Sequence, residues 1–200
     1  MGEACCNPTP SRDISYRRVL WIALFANATM FFVELAAAVF SGSSALAADA
    51  ADFLGDSANY ALSLGALAIG GAWISRVALL KGAAMSLYGI GVLAYAAWRA
   101  WLGVPPEAVT MGAVGLLALL VNVGVAALLY RFRDGDANMR SVWLCTRNDV
   151  IANLAVLIAA AGVFGTGTVW PDVAVAGMLA LLGLSSGRIV IRQARAELGA

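Results

Sequence analysis

Residues 110–130, TMGAVGLLALLVNVGVAALLY, form an apolar segment that contains no charged side chain. About 20 consecutive apolar residues are enough for a helix to cross the hydrocarbon core of a bilayer. This segment therefore predicts a transmembrane helix, and the sequence on either side of it repeats the pattern.

Five further segments share this length and apolar character. The six predicted helices are Val19–Phe40, Leu46–Trp73, Val77–Leu102, Thr110–Tyr130, Ser141–Phe164 and Val173–Ile191. Short stretches of Gly, Pro, Ser and Asp separate them, as expected for turns. The sequence thus predicts an all-α fold, an integral membrane bundle of six transmembrane helices at 19–191. A polar leader precedes it at 1–18, and a short tail follows at 192–200.

The composition excludes several classes of protein. Hydrophobic residues make up 62% of the chain, charged residues 12%, and the mean hydropathy is +0.83. An ordinary soluble domain is about 25% charged, so neither a soluble enzyme nor a disordered chain fits. The net charge of +1, without a long basic run, excludes a nucleic-acid partner.

The positive residues predict the orientation. In a six-helix arrangement every Lys and Arg except Arg99 falls on one side of the membrane, which the positive-inside rule makes the cytoplasmic side. Both termini are then cytoplasmic, with the bacterial inner membrane as the expected location. The first segment also resembles a signal peptide, but its apolar run is longer than usual and contains Glu34, which favours a retained helix.

Three carboxylates interrupt the second apolar segment. Asp49, Asp52 and Asp56 are spaced three and four residues apart, which places them on one helical face, and Asn59 extends this stripe. A carboxylate at the centre of a membrane helix costs about 2.5–3.5 kcal/mol, so such residues need a functional reason. Neighbouring carboxylates repel unless protons or a cation neutralise them, and a divalent metal would do so.

The fifth segment carries a second stripe, formed by Cys145, Asp149 and Asn153. Asp52, Asp56, Cys145 and Asp149 then provide four donors, the number that a tetrahedral zinc-like ion takes. The chain has no His, and its other cysteines, Cys5 and Cys6, lie in the leader. This arrangement is not a disulfide framework, so the three cysteines are interpreted as reduced thiols.

Structural explanations stay open for several of these residues. Asp49 is also explained as a helix cap or an interfacial residue, and Asp149 as the charged border of its helix. Glu34 is a candidate proton site, whereas Asp172 is interpreted as a dipole partner at the start of the sixth helix. The predicted helix bounds place Asp56 and Asp149 at somewhat different depths in the membrane.

The segment Phe40–Asp56, FSGSSALAADAADFLGD, resembles the second helix of the cation diffusion facilitators, which export zinc and other heavy metals. Pro105-Pro106, Asn122, the Cys145-x-x-x-Asp149 pair and Asp172 strengthen the resemblance. It implies a transport site on helices two and five made of Asp52, Asp56, Cys145 and Asp149. Cys145 stands where the family often has His or Asp, which favours thiophilic ions.

The resemblance covers the transmembrane domain only, because the family's usual cytoplasmic C-terminal domain is not represented in this sequence. It implies a divalent heavy-metal efflux transporter of the zinc or cadmium type that exchanges metal for protons and is not an enzyme. The expected partners are the metal ion, protons and the lipid bilayer, with no cofactor, and a homodimer is left open. The rival hypotheses are a membrane metal-binding or accessory protein that does not transport, and an intramembrane enzyme.

Overall fold

The computed structural model describes residues 14–66, 71–134 and 137–199. They form six α-helices, α1 (Ile14–Ser41), α2 (Ser44–Ala66), α3 (Gly71–Leu102), α4 (Ala108–Tyr130), α5 (Ala137–Thr166) and α6 (Trp170–Gly199). The described residues contain no β-strand. The predicted all-α membrane bundle is therefore confirmed.

The helix bounds differ from the predicted ones mainly at polar ends. α1 begins at Ile14, and α6 continues to Gly199 through the residues predicted as a tail. Arg, Gln, Ala and Glu are good helix formers, so a polar sequence ends an apolar run without ending the helix. Leader residues 1–13, including Cys5 and Cys6, lie outside the described residues.

Four helices form a closed ring, in which α1 contacts α2, α2 contacts α5, α5 contacts α4, and α4 contacts α1. α3 and α6 pair with each other, and the pair packs against α2 and α5 through contacts of α2 with both and of α5 with α6. We call the end where α1 begins at Ile14 the near end. The far end holds the turn between α1 and α2 and the start of α6 at Trp170.

Apolar clusters lie in layers along the bundle. The near cluster contains Tyr16, Val19, Leu20, Ala23, Tyr60, Leu64, Val125, Leu129, Phe132 and Val142. The middle cluster contains Met30, Phe53 and Ala118. A larger far cluster includes Leu46, Met111 and Val156. The polar residues of the site lie among these layers.

Glycines allow α3 and α6 to pack closely against each other. A Cβ added at Gly187 would lie 2.5 Å from Ser86 Oγ and 3.0 Å from the Gly82 carbonyl oxygen. A Cβ added at Gly82 would in turn lie 3.0 Å from the Gly187 carbonyl oxygen. The two backbones thus approach more closely than residues with side chains allow, as is common between membrane helices.

The outer surface of the bundle is apolar. Large side chains such as Phe32, Leu120, Ile158 and Leu181 are more than half exposed. Among the described helices, Ile14–Ser41, Ala108–Tyr130, Cys145–Thr166 and Trp170–Ala196 are long and apolar enough to cross a membrane. α2 differs from these because three aspartates fall within it. This surface is that of an integral membrane protein.

Two turns at the far end have clear local causes. Gly42, with φ of 71°, provides the left-handed residue between α1 and α2 that other residues rarely adopt. Glu107 caps α4 by accepting hydrogen bonds from the Val109 and Thr110 N–H groups. Hydrogen bonding by Thr110 lowers the pKa of the exposed Glu107 carboxyl, since it favours the charged form.

Candidate metal centre

The polar face of α2 starts from an anchored first turn. The fully buried Asp172 carboxylate of α6 accepts hydrogen bonds from the Ser44 and Ala45 N–H groups at 2.8 and 3.0 Å. The Ser43 and Ser44 hydroxyls donate to it at 2.6 and 2.5 Å. The first N–H groups of a helix lack partners within that helix, so this carboxylate satisfies them. Asp172 lies in the first turn of α6, as predicted, but its side chain caps α2.

The three aspartates of α2 follow this capped turn. Only 1% of Asp49 and 7% of Asp56 is exposed, and Asp52 is half-buried. Their spacing places them in one row along the helix. The row that the sequence indicates is therefore buried inside the bundle rather than placed at its polar ends.

Hydroxyl groups link this row to α5. The Tyr60 hydroxyl lies 3.2 Å from Asp56 Oδ2 and shares a 2.8 Å hydrogen bond with the Thr146 hydroxyl. Thr146 also donates to the Val142 carbonyl at 3.1 Å. The three side chains that these contacts join are buried, namely Asp56, Tyr60 and Thr146. The link fixes α2 and α5 in register at this level.

Asp149 of α5 lies beside Asp56. Their side chains interact directly and come within hydrogen-bonding reach, while Asp149 Oδ2 has no partner. The expected difference in depth is thus absent for this pair. Trp73, the predicted end of the second helix, lies in α3, and α5 already includes Ala137, before its predicted start at Ser141, so both aspartates fall near the middle of the described helices.

Asp52 and Cys145 lie on opposite sides of this pair. Asp52 is one turn from Asp56 toward the far end, and Cys145 is one turn from Asp149 toward the near end. Within the described parts of the chain, no three Asp, Glu, Cys or His side chains are grouped closely enough to hold a metal ion. The structure therefore brings together two of the four predicted ligands.

Comparison with known proteins identifies the family to which this chain belongs. The model of the cation efflux transmembrane domain matches residues 20–198. The chain belongs to the cation efflux family. Its members are transporters of metal cations.

Curated relatives of this cation efflux protein agree with the match. This chain is 29% identical over 176 residues to the metal cation efflux system protein CzcD of Cupriavidus metallidurans, and the alignment covers 82% of this chain and 56% of the relative. It is 25% identical over 189 residues to the cadmium, cobalt and zinc/H(+)-K(+) antiporter of Bacillus velezensis, covering 86% and 60%. The chain thus spans less than two thirds of the length of these relatives.

One expectation about the cation efflux site needs correction. Cys145, interpreted from the sequence as a reduced thiol, is disulfide-bonded in the structure. A sulfur atom in a disulfide is not a thiolate, so in this state Cys145 is not a metal ligand. The other cysteines of the chain, Cys5 and Cys6, lie outside the described residues. Coordination by Cys145 therefore requires reduction.

A second acidic pair lies toward the far end. Glu34 of α1 is fully buried, and both of its carboxylate oxygens lack hydrogen-bond partners. Asp49 of α2 is its electrostatic neighbour and has one oxygen without a partner. No Lys or Arg within the described residues forms an ion pair with Glu34 or Asp49. Burial inside the bundle agrees with the candidate role of Glu34 as a proton site.

Two buried asparagines of the ring were not predicted as site residues, and Asn27 was missed altogether. Asn27 of α1 and Asn122 of α4 are 0% and 2% exposed, and the Oδ1 atom of each lacks a partner. Asn27 stands seven residues before Glu34, which places both on one face of α1. This spacing was the available signal for Asn27. Asn122 entered the sequence argument only as part of the family resemblance.

Proposed function

We propose that this cation efflux protein exports divalent ions of the zinc and cadmium class in exchange for protons. Asp52, Asp56, Asp149 and the reduced form of Cys145 are the proposed ligands. The observation that carries the proposal is the Asp56–Asp149 pair, two adjacent carboxyl groups inside a membrane-spanning ring. Carboxylates are poorly solvated there unless a cation or protons neutralise them.

Exchange follows from the chemistry of these ligands. A metal ion binds carboxylates and thiolates in their deprotonated forms, so proton binding and metal binding compete at one site. Protons arriving from the outside would release the metal there, and loss of those protons to the cytoplasm would restore the site. The Bacillus velezensis relative is a cadmium, cobalt and zinc/H(+)-K(+) antiporter, which supports this choice of ions and coupling.

The proposed orientation places the near end in the cytoplasm. Arg17 and Arg18 lie at that end of α1, Arg131 and Arg133 follow α4, and Arg147 lies in the first part of α5. Positive residues are enriched on the cytoplasmic side of membrane proteins. We propose on this basis that both termini lie in the cytoplasm, and the bacterial relatives support a location in the inner membrane.

Metal flux into proteoliposomes distinguishes transport from metal binding without transport. With purified protein in sealed vesicles, we expect zinc or cadmium movement to accelerate when the compartment that receives the metal is acidic. Proton movement in the opposite direction should accompany it, seen with a pH-sensitive dye. The expected acceleration arises because protons compete the metal off the carboxylates.

Two controls complete this experiment. Protein-free vesicles measure leakage, and an ionophore that collapses the pH gradient should remove the acceleration. Stoichiometric metal binding in detergent without vesicle flux would instead support the accessory-protein alternative. Flux that ignores the proton gradient would contradict proton exchange while leaving cation efflux in place.

The contribution of the Cys145 thiol to metal binding is tested in a variant that lacks the other cysteines, so that Cys145 cannot form a disulfide within the chain. In the Cys5→Ser/Cys6→Ser protein, we expect Cys145→Asp to lower cadmium flux relative to manganese flux by about tenfold, on the scale of a lost metal contact. A thiolate favours thiophilic ions, whereas carboxylates favour hard ions. The measured quantity is the ratio of kcat/KM values between metals.

Cys145→His in the same background should keep zinc transport and weaken cadmium transport. A folding defect would lower all metals together, so the ratio between metals separates the two effects. An unchanged ranking and rate in Cys145→Ser would remove the sulfur atom from the proposed ligands. The three aspartates would then remain as the protein ligands.

A further inference from the structure

The layered core places polar residues of three helices at one level. α1, α2 and α4 each contribute a residue to the near cluster and another, seven positions away, to the middle cluster. These pairs are Ala23 and Met30, Tyr60 and Phe53, and Val125 and Ala118. Seven residues are close to two helical turns, so each pair lies on one face of its helix.

A polar residue stands between the two apolar residues on each helix. Asn27, Asp56 and Asn122 are each three or four positions from their cluster neighbours, which places them on the same inward faces. They therefore share the level between the near and middle clusters. On α5, Asp149 reaches this level too, because it lies beside Asp56. One oxygen-bearing residue comes from each helix of the ring.

The asparagine side chains present oxygen atoms at this level. Asn27 Nδ2 donates to the Ala23 carbonyl at 2.9 Å, one turn earlier on its own helix. The reverse orientation of the amide would set Oδ1 against that carbonyl oxygen, so the chain itself determines which atom is directed away. Oδ1 is left buried without a donor, and the same holds for Asn122 Oδ1.

Unpaired acceptors in a buried layer are costly, and nearly all buried polar groups in proteins have partners. Asn27, Asn122 and Asp149 each leave an oxygen without one. A cation would satisfy several such oxygens at once, and amide and carboxylate oxygens are typical ligands of hard and borderline divalent ions.

We propose that Asn27 and Asn122 bind the transported cation through their amide oxygens. They lie at the level of Asp56 and Asp149 and add two oxygen ligands, one from α1 and one from α4, to the ligands proposed above. This inference rests on the proposed function and extends its site beyond α2 and α5. Because both added ligands are neutral oxygens, they favour manganese, cobalt and zinc over cadmium, and they draw all four helices of the ring around the ion.

The test replaces each amide by an apolar side chain of similar size, in Asn27→Leu and Asn122→Leu. We expect the KM for manganese and zinc to rise about tenfold in each variant, in the range that loss of a supporting metal contact produces. The KM for cadmium should rise less, so the ratio between metals changes. Asn148→Leu is the matched control, since Asn148 is an exposed asparagine on α5 and should leave all values unchanged.

Stability measurements separate coordination from a structural role. An unpaired buried acceptor contributes nothing to stability, so replacing it by leucine should leave the melting temperature of the metal-free protein unchanged or higher. The rise in melting temperature on adding zinc or manganese should shrink in the same variants. A lower metal-free melting temperature with an unchanged metal ranking would instead show that the amides hold the ring together, and would overturn the proposal.

Outcomes for this inference and for the proposed function are distinct. If the parent protein gives no flux and no metal-dependent stabilisation, the proposed function fails. If the parent transports while Asn27→Leu, Asn122→Leu and the double variant keep its KM values and metal ranking, only the role of the asparagines fails. Should a leucine variant not fold, Asn122→Asp provides the second arm. Its added charge should strengthen manganese binding, and unchanged binding would contradict coordination.

Discussion

Asp56→Ala and Asp149→Ala should each abolish metal flux, while the protein still reaches the membrane and elutes as a single species in detergent. The two carboxyl groups lie side by side in the ring, so either substitution removes half of the anionic charge at this level. A divalent ion that loses this charge no longer gains enough to leave water. The measurement is initial flux of zinc and cadmium in proteoliposomes, expected to fall at least about a hundredfold on the scale of a lost essential ligand.

Asp134→Ala provides a matched control for these variants. Asp134 is an exposed aspartate at the near end, where it pairs with Arg133 at 3.2 Å, and exposed pairs contribute little. Its flux should equal that of the parent protein. Normal flux in either Asp56→Ala or Asp149→Ala would rule out the proposed site.

Asp172→Ala should destabilise the protein by about 2–3 kcal/mol, the scale of hydrogen bonds to a buried charged group. Its carboxylate accepts from two N–H groups and two hydroxyls at the start of α2, and alanine leaves these buried donors without their acceptor. The melting temperature in detergent measures the loss. Asp172→Asn should be milder, because one carbonyl oxygen remains as an acceptor.

The matched comparison for Asp172 is Glu107→Ala, which removes another helix cap at the same end of the bundle. Glu107 is exposed, so water replaces its hydrogen bonds to Val109 and Thr110, and the melting temperature should change much less. Flux should persist in Asp172→Asn, unlike in Asp56→Ala. Equal melting temperatures for Asp172→Ala and the parent protein would contradict the role of Asp172 as the cap of α2.

The amino-acid sequence by itself determined the helical membrane architecture. A run such as Thr110–Tyr130 has no stable place in water, and its backbone hydrogen bonds are satisfied only within a helix when it lies in lipid. The sequence also singled out the aspartates of α2, because a charged side chain within an apolar membrane segment costs free energy and is rare. Spacing along one helix was sufficient to identify the row that they form.

The tertiary structure decided which of these residues meet. Pairing of Asp56 with Asp149 depends on where α2 and α5 begin and end and on the Tyr60–Thr146 hydrogen bond, and neither follows from spacing along one chain segment. The cap that Asp172 provides joins residues 128 positions apart in sequence. The role proposed for Asn27 and Asn122 depends on the ring, which places residues of four helices at one level. Periodicity describes the faces of single helices, whereas the contacts between helices arise from packing, which sets their register.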